Sequence, residues 1–409
     1  MKIYKKNIKL ITFGNFPFGG ASANLLRYFT LSLSKGNNDV EVLLPTGHYY
    51  GNKIDVINKR VGKIEDVKYK YTGLLMHPKN YLGKFIDNVF GPLFLIHSLI
   101  ISHIRRKIDI VIVYNTTFFK TLVFILLRLM LNYKYIIILP EFYEKPKGQK
   151  FSLKKIKWYN FYFGMKYLIK YADGFIVASH FLKKYINKNL NCNKNVLVLP
   201  NAMDPKIFAI ENIEPYKKDY ICIGYTGTPT RKDGATDLIR SFSLVNKKYS
   251  DTHLLIIGDI TNGNSILTEL KNLAVKLNVI DNISFTGLVP FSKIPKLLNS
   301  CQILALTRPN GIFAEAGFPT KLGEYFACKK PVVVTKVGDI PRYFTNEKEV
   351  ILVEPENIEN IANGFEKLIL SDKLRENVAT NAYKWMDNEL NYLKISSNIN
   401  RFISIVLSE

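Results

Sequence analysis

The chain has 409 residues, 47% of them hydrophobic, with 57 Lys and Arg against 34 Asp and Glu for a formal net charge of +23. That apolar content excludes a disordered chain, and the length suits two domains that each bury a core. The four cysteines (Cys192, Cys222, Cys301, Cys328) are scattered, without a CxxC pair, which argues against a disulfide framework or a zinc site and fits a reducing cytoplasm.

The N-terminus is basic and then briefly apolar. Its apolar stretch, Ile8 to Phe13, runs straight into GNFPFGG, so it reads as a first β-strand and not as a signal peptide. Strands are predicted at Lys9–Phe13, Val40–Leu44, Val67–Thr72, Ile108–Val113, Tyr135–Leu139 and Phe175–Ala178. Helices are predicted between them at Ala21–Ser34, Leu82–Arg106, Phe118–Leu131, Ile156–Tyr171 and His180–Asn187. Runs such as IDIVIV and YIIIL have the pattern of parallel strands covered on both faces. The most membrane-like stretch, Phe118 to Leu139, is interrupted by Lys120, Arg128, Asn132 and Lys134. No window holds about 18 uninterrupted apolar residues, so a membrane-spanning helix is not expected.

The pattern breaks at VLPNAMD, residues 198–204, and then resumes. Strands are predicted at Tyr220–Thr226, His253–Ile257, Ile283–Phe285, Ile303–Leu306, Pro331–Thr335 and Ile351–Val353. Helices are predicted at Ala235–Lys248, Ser265–Leu277, Lys293–Asn299, Lys321–Ala327 and Ile358–Ser371, and Lys373 to Leu407 reads as one amphipathic helical stretch. The expected fold class is α/β: two Rossmann-like doubly wound domains, 1–200 and 201–385, with a C-terminal helix, 386–409, crossing back to pack on the first. Ligands belong at the carboxyl ends of the strands, in a central cleft.

Charge divides the chain unevenly. Residues 1–200 hold 32 Lys and Arg against 10 acids, a net of +22, whereas residues 201–409 hold 25 against 24, a net of +1. The densest stretch, Lys145 to Tyr171, has eight Lys, Lys147 and Lys150 included, and no acid, interleaved with Trp158, Tyr159, Tyr162 and other aromatics. Such a stretch suits an anionic bilayer interface, single-stranded nucleic acid, or a solvated helix whose rings pack inward.

The sharpest candidate site is Thr307 to Phe344. Gly311 to Pro319 reads as a loop that follows a buried strand and opens a helix at Thr320, and backbone N–H groups at such a start form an anion site. Lys321 adds a positive charge in the first turn. Glu324, one turn on, can accept two hydrogen bonds from vicinal hydroxyls, as a ribose offers.

This segment resembles the donor site of retaining GT-B glycosyltransferases of family GT4, whose signature is a Glu, seven residues, a second Glu, and a helix ending in xGxPVV. Glu324–Val334 (EYFACKKPVVV) is similar to its second half, with Lys329 at the usual Gly position. Thr320–Glu324 (TKLGE) is similar to a subgroup with [ST]-K-[LIV]-x-E. The resemblance implies that Glu324 holds the ribose, and that Thr320, Lys321 and the loop amides around Gly317 and Phe318 hold the diphosphate. Counting back eight from Glu324 lands on Ala316, so the sugar-contacting acid falls to its neighbour Glu315.

Tyr225–Phe242 (YTGTPTRKDGATDLIRSF) resembles the family's strand, loop and helix in which a Lys and an Arg offset charge on the departing nucleotide. By that likeness Lys232 and Arg231 are catalytic, and Gly227 belongs to the donor loop. Cations placed there are what a metal-free mechanism requires. FTGLVPFSKIPKLL resembles the base-binding stretch, with Gly287 and Val289 against the base, and Gly19 and Gly20 match a Gly-rich loop near the donor phosphates. VLPNAMD resembles the interdomain PNGID, and Ala172–Ile186 a further family segment. For the acceptor, Glu141 and Glu144 in LPEFYEKP and Asn115 in NTT follow predicted strands at their carboxyl ends. No D-x-D is present and the His residues have no metal spacing, so no cofactor and no metal are expected.

Together these imply a retaining, metal-independent transferase. It would move a sugar from a nucleoside-diphosphate sugar to a saccharide acceptor, lipid-linked, at the inner face of the cell membrane, in cell-surface polysaccharide synthesis. Closure of the cleft around residues 200–204 would exclude water. The alternatives are a nucleotide-sugar 2-epimerase of the same fold, which the acid-poor first half disfavours, and a non-catalytic basic protein that binds membrane or nucleic acid.

Overall fold

The computed structural model describes residues 5–48, 59–146, 152–190, 194–259 and 266–409. Cys192, Lys147, Lys150 and Ser265, used in the sequence reading, lie outside the described residues. The chain forms two α/β units: Met1–Met203 with Tyr392–Glu409, and Asp204–Asn391.

The strands of the first unit are β1 (Asn7–Ile11), β2 (Asp39–Leu44), β3 (Val61–Ile64), β4 (Val67–Tyr71), β5 (Ile110–Tyr114), β6 (Lys134–Leu139), β7 (Gly174–Val177) and β8 (Asn195–Val198). Its helices begin with α1 (Ala21–Ser34), α2 (Tyr81–Arg105), α3 (Phe118–Leu131), α4 (Leu153–Phe163) and α5 (His180–Leu190). They form an eight-stranded sheet of order β3-β4-β2-β1-β5-β6-β7-β8, parallel except where β3 runs antiparallel to β4. The apolar runs behave as their composition requires: β1 is buried at every position, and β5 and β6 are buried at all but one end residue.

The second unit contains β9 (Ile221–Thr226), β10 (Thr252–Ile257), β11 (Ile283–Phe285), β12 (Ile303–Leu306), β13 (Val332–Thr335) and β14 (Ile351–Val353). Its helices are α6 (Ala235–Lys248), α7 (Leu267–Lys276), α8 (Ile294–Asn299), α9 (Ile312–Ala316), α10 (Thr320–Ala327), α11 (Ile340–Tyr343), α12 (Ile358–Leu370) and α13 (Asp372–Glu389). All six strands are parallel, in the order β11-β10-β9-β12-β13-β14. The order reverses between β9 and β12, so a crevice opens where their carboxyl ends diverge. The core fills with Phe242 of α6 and Phe365 of α12 against Ile223, Leu254 and Val333.

The last helix, α14 (Ser396–Ser408), belongs to the first unit. Ser396 and Asn400 donate to the Ser32 carbonyl, and a Cβ at Gly174 would stand 2.9 Å from Val406, so α1 and β7 are built to receive it. The helical stretch expected from Lys373 to Leu407 is α13 and α14, separated near Leu390. The boundary read at 385/386 falls inside α13, where Trp385 packs on Phe344 with centroids 4.6 Å apart.

Three further local expectations are corrected. The predicted helix Ile156–Tyr171 is α4 followed by a π-turn, Gly164–Leu168, where a Cβ on Gly164 would press the start of α3. Gly311–Pro319 is not all loop but contains α9. The third concerns α2, 25 residues long with an 18-residue stretch of mean hydropathy 1.6, which by length and composition could cross a membrane although no such helix was expected. Its inner face is docked: Asp87 is buried and accepts from Gly47 N (2.8 Å) and Leu74 N (2.9 Å), and a Cβ on Gly91 would collide with the Pro45 carbonyl. Its outer face leaves Leu82, Phe85, Phe90, Leu93 and Phe94 in solvent.

Candidate functional site

The second unit gathers the chemistry at the carboxyl ends of β9 and β12. β9 ends at Thr226, whose N–H donates to the buried Tyr325 hydroxyl at 2.8 Å. The chain then turns at Gly227 (φ +127°), where a Cβ would stand 2.4 Å from Lys321 Nζ, so only glycine lets the backbone pass that ammonium. Gly227, Gly258 and Gly287 meet across the tips of β9, β10 and β11: a Cβ on Gly258 would stand 2.7 Å from the Gly227 carbonyl, and Gly258 bridges to Gly287. Gly287 (φ +63°) has open space on its Cβ side.

Lys321 sits in the first turn of α10 and turns back over β9. Its Nζ is 3.0 Å from Asp233 Oδ2 and 2.9 Å from the Tyr225 hydroxyl, and lies over that ring at 4.5 Å. Arg308, just past β12, approaches Asp233 Oδ1 at 3.4 Å. Burial alone would raise the Asp233 pKa, but Lys321 and Arg308 outweigh it and hold the group below the ordinary carboxylate value. Burial lowers the Lys321 pKa against the opposing pull of Asp233, and raises that of Tyr225 well above normal. Two cations therefore share one carboxylate, which leaves a net positive centre.

Glu324 does not pair with Lys321. Among the described residues its carboxylate has no hydrogen-bond or ion-pair partner, and burial, only partly offset by Lys321, pushes its pKa up to about 7 from 4.5. Pro319 precedes α10 and carries no N–H, and no side chain caps the helix. The amides of Thr320 and Lys321 are thus left for an acceptor from outside, beside the positive centre.

The remaining predicted residues divide. Arg231, Lys232 and Asp233 form a 3₁₀ turn between β9 and α6, and Lys232 is exposed with Nζ 5.6 Å from the Phe313 ring. Glu315 is exposed on α9, whereas Ala316 is wholly buried. A carboxylate at 316 would face the core, whereas one at 315 reaches solvent. Gly317 begins the extended link to α10, and the Phe318 ring turns away to stack on Trp385 at 6.1 Å, leaving only its backbone to the site. Val289 lies in the turn after β11.

Gly19, Gly20, Asn115, Glu141 and Glu144 are in the first unit. Gly19 (φ +145°) and Gly20 precede α1, with Gly20 at its N-cap. Asn115 and Glu141 are joined by the Tyr143 hydroxyl, which receives a hydrogen bond from Asn115 Nδ2 at 2.9 Å and donates to Glu141 at 2.7 Å. Glu144 stands exposed with no ion pair among the described residues. Asp233, Arg308, Tyr225 and Gly258 were missed. The signal for Asp233 was its place between Lys232 and Gly234, since an acid at a helix entrance among cations is there to bind them.

Residues 206–385 match the family described as glycosyl transferases group 1. The chain is 27% identical over 276 residues to the capsular polysaccharide biosynthesis glycosyltransferase CapM of Staphylococcus aureus, covering 63% of this chain and 68% of that one. It is 25% identical over 399 residues to the uncharacterized glycosyltransferase MJ1069 of Methanocaldococcus jannaschii, covering 95% and 96%. In fold it is similar to Anabaena Alr3699/HepE, solved in complex with UDP and glucose, with a TM-score of 0.67 and 15% identity over 98% of this chain and 99% of that one.

Proposed function

From a chain that is a glycosyltransferase of GT-B fold, with residues 206–385 belonging to glycosyl transferases group 1, we propose a retaining, metal-independent transfer from a nucleoside-diphosphate sugar to a lipid-linked saccharide. Polysaccharide biosynthesis is the process such a transfer would serve. The observation that carries it is the pairing, on one helix, of an unpartnered Glu324 carboxylate with uncapped amides beside Lys321 and Arg308. A ribose offers two hydroxyl donors to the first, and a diphosphate offers anionic oxygens to the second.

In this proposal Lys232, Lys321 and Arg308 take up charge on the departing nucleoside diphosphate, the role a bound cation plays elsewhere. Attack on the same face of the sugar then retains the anomeric configuration, with Glu315 near the sugar. Glu141, Glu144 and Asn115 are proposed to meet the acceptor, and the enzyme works at an anionic membrane. That Alr3699/HepE was solved with UDP favours a uridine donor.

Titration of the protein with UDP, GDP, ADP and CMP, without divalent metal, tests the reading. We expect one nucleoside diphosphate to bind selectively and Glu324→Ala to lose that binding. Absence of any nucleotide binding, or binding that survives the substitution, would sink it. The anomeric configuration of the product, read by NMR, tests retention separately.

A further inference from the structure

A second cavity, of ≈ 460 Å³, lies in the first unit between α2 and α3, at the carboxyl ends of β1 and β2. Pro92, Leu95 and Ile96 of α2 face Phe119, Val123 and Phe124 of α3 across it. Lys120, in the first turn of α3, also lines this mostly apolar space. Its Nζ stands 3.6 Å from the centroid of the Phe13 ring, and among the described residues no carboxylate or hydrogen-bond acceptor reaches it. Loss of water around it pulls its pKa down to about 8, so at neutral pH the ammonium is still mostly charged. Thr46 and Asn88 are the other polar residues of the lining. A cation held there against a ring, with no anion beside it, costs stability unless something anionic joins it. Asp87, the nearest acid along α2, is already engaged with Gly47, Leu74 and His77.

Next to this cavity lies another, a groove of ≈ 690 Å³ between α3 and the α4 segment, walled by Phe118, Phe119, Ile156, Tyr159, Phe163 and Tyr167. Beside the hydroxyls of the two tyrosines, its polar group is Asn160, whose carbonyl accepts from the Phe119 N–H at 3.3 Å. Phe119 lines both spaces and is 67% exposed. Phe119 is therefore shared by a cavity that holds a charge and a groove whose exposed lining is apolar. Lys154, Lys157 and Lys166 stand exposed along the α4 side, where an anionic surface would meet them.

We propose that the two spaces form one site for a phosphate-bearing lipid: Lys120 holds the phosphate, and the hydrocarbon chain passes Phe119 into the groove between α3 and α4. The site rests on the transferase reading for its purpose, since it would seat the carrier end of a lipid-linked acceptor. A cavity of this size takes a head group and the first few isoprene or methylene units. Charge and chain are both required. A free phosphate satisfies Lys120 but leaves the groove wet, and an uncharged alcohol leaves Lys120 unpaired.

The test is calorimetric titration with farnesyl phosphate below its micelle concentration, against farnesol and inorganic phosphate, each also run on Lys120→Met and Val123→Trp. Farnesyl phosphate should bind roughly tenfold or more tighter than either control, the difference a charge-assisted hydrogen bond makes. Lys120→Met should bring it down to the farnesol level. Val123→Trp, which fills the cavity and spares the charge, should block it as well. Both variants should keep the nucleoside diphosphate affinity of the parent, which reports a folded chain. Farnesol binding as tightly as its phosphate, or Lys120→Met leaving affinity unchanged, would overturn the site. Inorganic phosphate binding as tightly as farnesyl phosphate would also overturn it, by reducing it to an anion site. A protein that binds farnesyl phosphate but no nucleoside diphosphate would uphold this site while sinking the donor reading.

Discussion

Glu324 carries a specific pH signature. Its raised pKa of about 7 means that the protonated form prevails below neutrality, and a protonated carboxyl cannot accept two hydrogen bonds from a diol. Nucleoside affinity should therefore fall as pH drops below 7, approaching tenfold per unit, and level off above it. Uridine is the ligand to use, because it carries no titrating phosphate, and Glu324→Gln should flatten the profile. The unliganded protein should show the opposite trend. The folded state binds a proton that the unfolded state has released between pH 4.5 and 7, so this group lowers stability as pH rises through that window. Asp233 can be tested by stability. Asp233→Asn leaves Lys321 and Arg308 facing each other without their shared carboxylate and should cost about 3 kcal/mol by urea denaturation. Lys329 runs the other way: it holds φ +52° after α10, where the resembling family has Gly, and its ammonium rests on the Tyr383 ring at 5.0 Å. Lys329→Gly should stabilise the chain by about 0.5 kcal/mol, strain relief of ~1 kcal/mol less the lost ring contact.

At the scale of elements, the parallel strands were legible because their apolar runs leave no other assignment, and α10 was legible because its chemistry is compressed into five residues, Thr320–Glu324. What escaped was decided by partners distant in sequence. β3 is a four-residue edge strand, half exposed, whose pattern carries no apolar alternation to read. Asp233 becomes a site residue only when Lys321, 88 positions on, folds back to it. The charge on Lys120 looked like an interruption of an apolar run, and in the fold it is the lining of a cavity. The outer face of α2 was hidden for a similar reason, since Asp87 splits its apolar run while pinning the helix to the sheet. That face gives a further prediction. Phe85→Ser with Phe94→Ser should change stability by less than about 1 kcal/mol, because both rings are already in water, yet should weaken pelleting with anionic vesicles several-fold. Unaltered pelleting would remove α2 from the proposed membrane surface.

For the whole molecule, charge and apolar surface coincide. The half of the sequence with a net charge of +22 also carries the exposed faces of α2, α3 and α4, whereas the half that holds Glu324 is nearly neutral. Association with anionic vesicles should accordingly weaken as salt is raised from 50 to about 500 mM, as the Debye length shrinks below the spacing of the lysines. Nucleotide binding should respond far less. An equal loss of both would mean that one surface serves both ligands, against the division proposed.

The return of α14 to the first unit has a consequence for how the chain is made. Synthesis of the second unit is finished at Asn391, when the first still lacks the helix that lies along α1 and β8. That helix is made after every residue of the second unit, so the earlier-made unit is the later one to finish folding. Until α14 emerges, the faces that will receive Ile399, Phe402, Ile403 and Val406 stay open to chaperones and to other nascent chains. A stop codon at position 392 would make that interval permanent, yielding a protein whose second unit is intact and whose basic first unit is prone to aggregate.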